Sequence, residues 1–347
     1  MAVAALDAAC GRIASAGGES DLVTAAAAAH DAVRTVIRPS RPGAASLAQA
    51  WSAVARAALS TAARLVAPGI RWYASGSVGR GDALPGSDLE TVAVRGDDIT
   101  LESALAQAAH AHELLACCGF RADDNGAVAS RVRFNRTAQE WAAGIGRWAA
   151  DPTSESGCGW IPTSDRGVSW SGCWPPRALG DGPDLRDQAG IAVRAQPRAL
   201  VAILQDATYP RAYIPSRLRA LTSGDARIDI KHAAVDPVVR IARWAALSCG
   251  SDALPTAERI GAAAGTRYLD PDDARVLAKC HAIGSSIRWR VRAARWDTNS
   301  EAPADEHVEL SNLSPQDRTA LRSIGRELSG VRRKLDYLAS TSTFSTW

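Results

Sequence analysis

Between Tyr73 and Val94 the chain reads YASGSVGRGDALPGSDLETVAV, and this stretch constrains the fold more than any other. Short apolar runs from Ile70 to Val94 flank a glycine-rich loop with a Pro-Gly turn at Pro85 and Gly86, which predicts two strands around a loop. Nearly everything around it carries helical spacing instead. In LAQAWSAVARAALSTAARLV, for example, Leu47, Trp51, Val54, Ala58 and Leu65 share one helix face. A small sheet set among many helices is therefore expected, an α+β fold.

Residues 1–66 read as an N-terminal helical hairpin, broken near Arg38 to Ser46 by two prolines and a glycine. Residues 67–190 form the mixed region. It holds the two strands, the second expected over Asp88 to Val94, then a helix over Leu101 to Cys118 and a strand pair around an Asp-Asn-Gly turn in GFRADDNGAVASRVRF. Next comes a helix whose Thr137 and Glu140 make a capping-box pattern and whose Trp141, Ile145 and Trp148 line one face as core anchors. The Gly, Pro, Ser and Trp-rich run from Pro152 to Pro183 reads as a long loop, of the kind that is either functional or mobile. Residues 191–347 read as a helical bundle, with helices near Arg186 to Leu204, Asp236 to Cys249, Ala253 to Ala264, Pro271 to Trp296 and Pro315 to Leu338.

Charge gives little direction: 40 basic against 37 acidic residues leave a net +3, too small to imply a polyanion partner. SSIRWRVRAARW pairs Trp289 and Trp296 with Arg288, Arg290, Arg292 and Arg295, but the apolar residues there read as core and the arginines as solvated, so nucleic acid is not expected. No basic leader precedes a long apolar run and no segment offers about 18 uninterrupted apolar residues. A cytoplasmic protein without a membrane partner is the expectation. Seven cysteines, with no Cys-x-x-Cys spacing, read as reduced thiols rather than as a zinc site or a disulfide frame.

The chemistry sits in the opening stretch. On a strand, Asp88 and Glu90 share a face with their α-carbons roughly 6.5 to 7 Å apart, close enough for two carboxylates to hold divalent cations together. Gly76 and Ser77 end the first strand, so backbone N–H groups and a hydroxyl can face a polyphosphate with no Cβ at Gly76 to hold it off. Arg80 can add a bidentate phosphate contact. Two Mg²⁺ ions on paired acids, beside a phosphate-binding turn, are what nucleotidyl transfer requires. The expectation is that acids and turn converge on a shared cavity. The glycines Gly76, Gly79 and Gly81 fit neither the dinucleotide fingerprint nor a P-loop.

These residues resemble the nucleotidyltransferase signature hG[GS] followed by [DE]h[DE]. More narrowly, they resemble a bacterial family similar to the PII-protein uridylyltransferase, in which a transferase-like domain precedes a helical substrate-binding domain. GSVGRGDALPGSDLET aligns without a gap to that family's G-S-E-G-R-R-E-Q-T-L-x-T-D-Q-D-N, with Glu90 in place of an aspartate and Ala83 in place of a glutamine. GAVASRVRFNRTAQEW and ARIDIKHAAVDPVVRIARWAAL resemble further family segments, so that residues 45 to 338 are covered. The resemblance implies catalytic, metal-holding Asp88 and Glu90. It implies nucleotide contacts from Gly76, Ser77, Gly79, Arg80, Ser87 and Lys231, the last one of only three lysines, alternatively read as a surface pair with Asp229. The cofactor would be Mg²⁺ or Mn²⁺. The partners would be an NTP and a protein or small-molecule acceptor, with a homodimer among the expected states.

The departure that matters falls in CWPPRALGD, where Pro175 replaces the aspartate expected as a third carboxylate; Asp165 or Asp181 is the substitute if the alignment shifts. The alternative to an enzyme is thus a degenerate regulatory module that binds nucleotide or a partner without turnover.

Overall fold

The computed structural model describes residues 2–37, 43–122, 126–152, 171–172, 185–209, 214, 227–298 and 307–341. It divides into two compact units. The first comprises Met1–Trp148, Asp165–Ala192 and Trp296–Ala304; the second comprises Ala149–Ser164, Val193–Arg295 and Asp305–Trp347. The fold is α+β, as expected.

The first unit opens with α1 (Ala2–Ala14), α2 (Glu19–Ile37) and α3 (Ala44–Val66). The expected hairpin thus gains a further break at Ser15–Gly18, where Gly17 and Gly18 end the alanine run and Glu19 and Asp21 begin the next helix with acids suited to its positive end. One face of each helix is sealed: Leu6, Ile13, Leu22, Ala26, Val54, Ala58 and Leu59 are fully buried. Thr61 and Arg64 of α3 donate to the carbonyls of Ile13 and Ala16, fixing α1 against it.

The sheet has the order β3-β2-β1-β4. Strands β1 (Ile70–Ala74) and β2 (Thr91–Arg95) are antiparallel with Trp72 opposite Ala93; β3 (Asn135–Arg136) runs parallel to β2, and β4 (Ser171–Gly172) antiparallel to β1. Between β1 and β2 lies a single short helical turn, α4 (Gly76–Arg80). Strand β2 starts at Thr91, three residues later than the alternation implied. Asp88 to Glu90 nonetheless continues the extended path: Ser75 N–H donates to Glu90 O at 2.8 Å, while Leu89 and Thr91 N–H donate to Arg121 O and Ala127 O at 2.8 Å each. Among the described residues after Gly119 the expected strand pair is absent; Arg121 and Ala127 lie along the entry to β2, and a 3₁₀ turn follows at Val132–Phe134. Asp124 and Asn125 of the anticipated turn lie outside the described residues.

Helix α5 (Leu101–Cys117) starts at Thr100, whose hydroxyl accepts from Ser103 N–H. Helix α6 (Ala138–Ala150) has the anticipated capping box, with Glu140 N–H on the Thr137 hydroxyl at 3.2 Å and Thr137 N–H on the Glu140 carboxylate at 2.8 Å. Trp141, Ile145 and Trp148 are at most 2% exposed, and the Trp141 indole N–H donates to Ala93 O, pinning α6 to β2. The loop expected over Pro152 to Pro183 yields β4; Pro175, Asp165 and Asp181 lie outside the described residues.

A helix expected over Arg186 to Leu204 is two, α7 (Leu185–Arg194) and α8 (Pro197–Thr208), because Pro197 can open a helix but not continue one. The second unit continues with β5 (Arg227–Asp229), a π-helical turn at Lys231–Val235, α9 (Asp236–Ser248), α10 (Thr256–Ala263), α11 (Pro271–Thr298), β6 (His307–Glu309) and α12 (Pro315–Thr341). Strands β5 and β6 form a separate antiparallel pair that the sequence reading lacked. Helix α9 is buried nearly all round, and its Arg240 meets Asp206 of α8 at 2.9 Å with both side chains almost fully enclosed. On α11, Ile287, Trp289 and Trp296 are buried as expected, but so are Arg288 and Arg292. Only the exposed part of that arginine row, Arg290 above all, is solvated as the sequence reading had it.

Candidate active site

The glycine-serine turn is held from below by α3. Arg56 donates to Val78 O at 2.9 Å, and the Ser52 hydroxyl accepts from Ala83 N–H at 3.1 Å, so α4 and the loop after it rest on a helix whose own core face is sealed. Gly76 (φ +59°) starts α4 and Gly81 (φ +82°) ends it, both in the left-handed region where glycine carries no penalty. Asp82 N–H then returns to Ser77 O at 2.8 Å. Further on, Ser87 N–H bonds Leu84 O and the Ser87 hydroxyl accepts from Leu84 N–H, which closes the Pro85–Gly86 turn, with Gly86 at φ +79°.

Gly76 and Glu90 are brought into direct contact. A Cβ placed on Gly76 would lie 2.6 Å from Glu90 Oε2 and 3.0 Å from its Cδ, so the carboxylate rests on the face of the glycine that lacks a side chain. Burial alternates from Asp88, exposed, through Leu89, buried, to Glu90, half-buried, and Thr91, buried. That puts the two acids on the opposite side of the chain from Leu89, as the strand argument required, even though the strand proper begins after them.

Arg80 is buried, its Nε 3.2 Å from Asp82 Oδ2, so its charge is met within the loop. Gly79 is buried in α4, and Ser77 is half-buried there. Lys231 belongs to the second unit, where it opens the π-helical turn, while Asp229 beside it accepts from His232 N–H. Sequence reasoning passed over Ser75. Its hydroxyl, in a residue 1% exposed, has no hydrogen-bond partner and sits immediately before Gly76. Its position in the run Ser-Gly-Ser was the available signal. Thr91 and His112 were also missed. The Thr91 hydroxyl lies 2.8 Å from His112 Nε2 and accepts from Ala129 N–H at 3.0 Å, tying the residue after Glu90 to α5 and to the following segment. Burial drives the His112 pKa down to about 4, and Arg131 adds to the effect.

A cavity of about 410 Å³ opens in the same unit, with His30, Asp31, Arg34, Gly86, Arg121 and Trp296 in its wall. Gly76, Ser77, Asp88 and Glu90 do not line it, so acids and turn meet through contact rather than across this cavity. Among the described residues no group of three or more Asp, Glu, His or Cys is placed to hold a metal ion. Asp88 and Glu90 form a pair of carboxylates beside the Gly-Ser turn. Such a pair suits Mg²⁺, which takes one or two carboxylates and completes its shell with water and phosphate oxygens. The described thiols Cys10, Cys117, Cys118, Cys249 and Cys280 are all free, and no described helix is long and apolar enough to cross a membrane.

A strand, a Gly-Ser helical turn and an acid pair entering the next strand, on a small mixed sheet followed by a helical unit, define a nucleotidyltransferase-like architecture. Residues 27–155 match the family described as "Putative nucleotidyltransferase DUF294", and residues 197–338 match its companion, "Putative nucleotidyltransferase substrate binding domain". The two together account for most of the chain, and the chain belongs to this family. No curated protein matches it.

Proposed function

We propose that the protein transfers a nucleoside monophosphate from an NTP to an acceptor hydroxyl, with Asp88 and Glu90 as the acids of the reaction. The observation that carries this is the contact of Glu90 with Gly76. It joins the acid pair to the Gly-Ser turn at one point in space, as a reaction at the phosphates of a bound nucleotide demands. Asp88 and Glu90 would hold Mg²⁺ or Mn²⁺, which on binding activates the attacking oxygen and stabilises the departing pyrophosphate. The first turn of α4 offers backbone N–H groups with no intrahelical partner, and the unpaired Ser75 hydroxyl adds a donor or acceptor beside them. Ser77, Gly79, Arg80 and Ser87 shape that turn. Lys231 is assigned a phosphate contact on resemblance alone. The second unit, matched by the substrate-binding family, would present the acceptor. The resemblance to PII-protein uridylyltransferase favours a regulatory protein as that acceptor.

Calorimetric titration of each Mg-NTP into the wild type and into the Asp88→Ala, Glu90→Ala double variant tests the reading. A nucleotide that binds the wild type at least tenfold more tightly is expected; equal heats in both overturn it. A second reading, a binding module without turnover, is favoured by Pro175, which stands where the resemblance expects a third carboxylate. It predicts nucleotide binding with no release of pyrophosphate, and a labelled acceptor in a lysate of the source organism rules it out.

A further inference from the structure

We infer that Glu90, through its one extra methylene, is a plug in the phosphate cradle, so that a polyphosphate enters only after Glu90 has swung off Gly76. The inference rests on the nucleotidyltransferase reading, and it concerns how that site is opened. The resembling family has aspartate at this position, and the difference in length decides what the side chain can reach.

Glu90 Oε2, Cδ and Cγ lie 2.6, 3.0 and 3.6 Å from the place a Cβ on Gly76 would take. The side chain is therefore laid along the glycine, filling the space whose emptiness would let a phosphate approach the backbone. Oε2 is shielded from solvent there. A phosphate at this point would meet both the bulk of the carboxylate and its charge. The main chain cannot yield instead: Glu90 O is held by Ser75 N–H, and the flanking Leu89 and Thr91 N–H groups are bonded to Arg121 and Ala127. Opening is thus a movement of the Glu90 side chain rather than of the main chain. Asp88, two residues away, on the same side of the chain and exposed, is where Glu90 can share a divalent cation once turned outward. Cation binding and cradle opening become one event, and the order is cation first, polyphosphate second. An aspartate at position 90, shorter by one carbon–carbon bond, would press on Gly76 less closely.

The test uses inorganic tripolyphosphate, which probes the cradle whatever base the protein prefers. Binding to the full-length wild type, Glu90→Asp and Glu90→Gln proteins is measured by calorimetry in EDTA and again with Mg²⁺. In EDTA, Glu90→Asp should bind about fivefold more tightly than wild type, about 1 kcal/mol. Glu90→Gln, equally long but uncharged, should gain less. With Mg²⁺ the advantage of Glu90→Asp should shrink. No gain for Glu90→Asp, or a larger gain for Glu90→Gln, overturns the inference. Thermal melts establish that the variants are folded. Independently of any variant, a crystal of the wild type with Mn²⁺ alone should show Glu90 withdrawn from Gly76; a cation on Asp88 with Glu90 still on the glycine refutes it. If tripolyphosphate behaves as expected but no Mg-NTP binds, the nucleotidyltransferase reading fails while the plug stands. If nothing binds to any of the proteins, both fall.

Discussion

Acid should loosen the entry to β2 through one imidazole. His112 lies against Trp72, with ring centroids 5.8 Å apart, and reaches the Thr91 hydroxyl. Its Nδ1 is buried without a partner, so protonating both ring nitrogens would bury a charge that only the Thr91 contact meets. The pKa falls from 6.5 to about 4, through burial first and the Arg131 charge second. Because the folded value is the lower one, the unfolded chain takes up the proton first as pH falls. The contribution to stability is complete above about pH 6.5 and is lost between there and about pH 4. At about 1.4 kcal/mol per unit, the full loss is about 3 kcal/mol, of which about 2 kcal/mol is gone by pH 5. His30, also lowered by burial, acts in the same direction. Urea unfolding of the wild type and of His112→Gln, which keeps a polar group beside Thr91 but does not titrate, isolates the effect. The wild type should lose about 2 kcal/mol more than the variant between pH 7 and pH 5. Parallel curves would refute the reasoning.

Trp141→Ala should cost about 3 to 5 kcal/mol, since it empties a fully buried site and strands the carbonyl of Ala93; chemical denaturation measures it. Thr137→Ala removes half of a formed capping box and should cost about 1 kcal/mol in the same assay. In Gly119→Ala the new Cβ would fall 2.6 Å from His30 Nε2 at a φ of +81°, so a loss of about 1 to 3 kcal/mol is expected, visible as a lower melting temperature. Asp206→Ala leaves Arg240 enclosed without that carboxylate and should destabilise the second unit by about 3 to 5 kcal/mol. Hydrogen exchange in α8 and α9 should rise with it.

Local chemistry was easiest to read from the sequence where it is self-contained. The Thr137–Glu140 capping box, the Trp141, Ile145 and Trp148 face, and the proline-led starts of α11 and α12 all depend on residues within a turn or two of each other. The acid pair could be placed on one side of the chain for the same reason. Pairings that depend on distant partners could not be read: β4 joins β1 across many residues, and β5 finds β6 across most of the second unit. The same applies to Glu90 and Gly76. Spacing put both near a nucleotide, but only the antiparallel register of Ala74 with Thr91 laid one on the other. The buried Arg288 and Arg292 were misjudged because burial of an arginine is decided by what surrounds its helix, which the helix's own sequence does not record.

The first unit is assembled from three separate stretches of chain, the last beginning at Trp296. Synthesis must therefore pass Trp296 before this unit can finish folding. Until Gly172 emerges the outer edge of β1 lacks the partner that β4 supplies, and until Trp296 emerges the aromatic cluster of Trp51 and His30 lacks its third ring. An unpaired strand edge during synthesis is the state most open to sticking to other chains. Fragments ending near residue 152 would be held in it permanently, so recombinant work on the first unit calls for a chain that runs past Trp296.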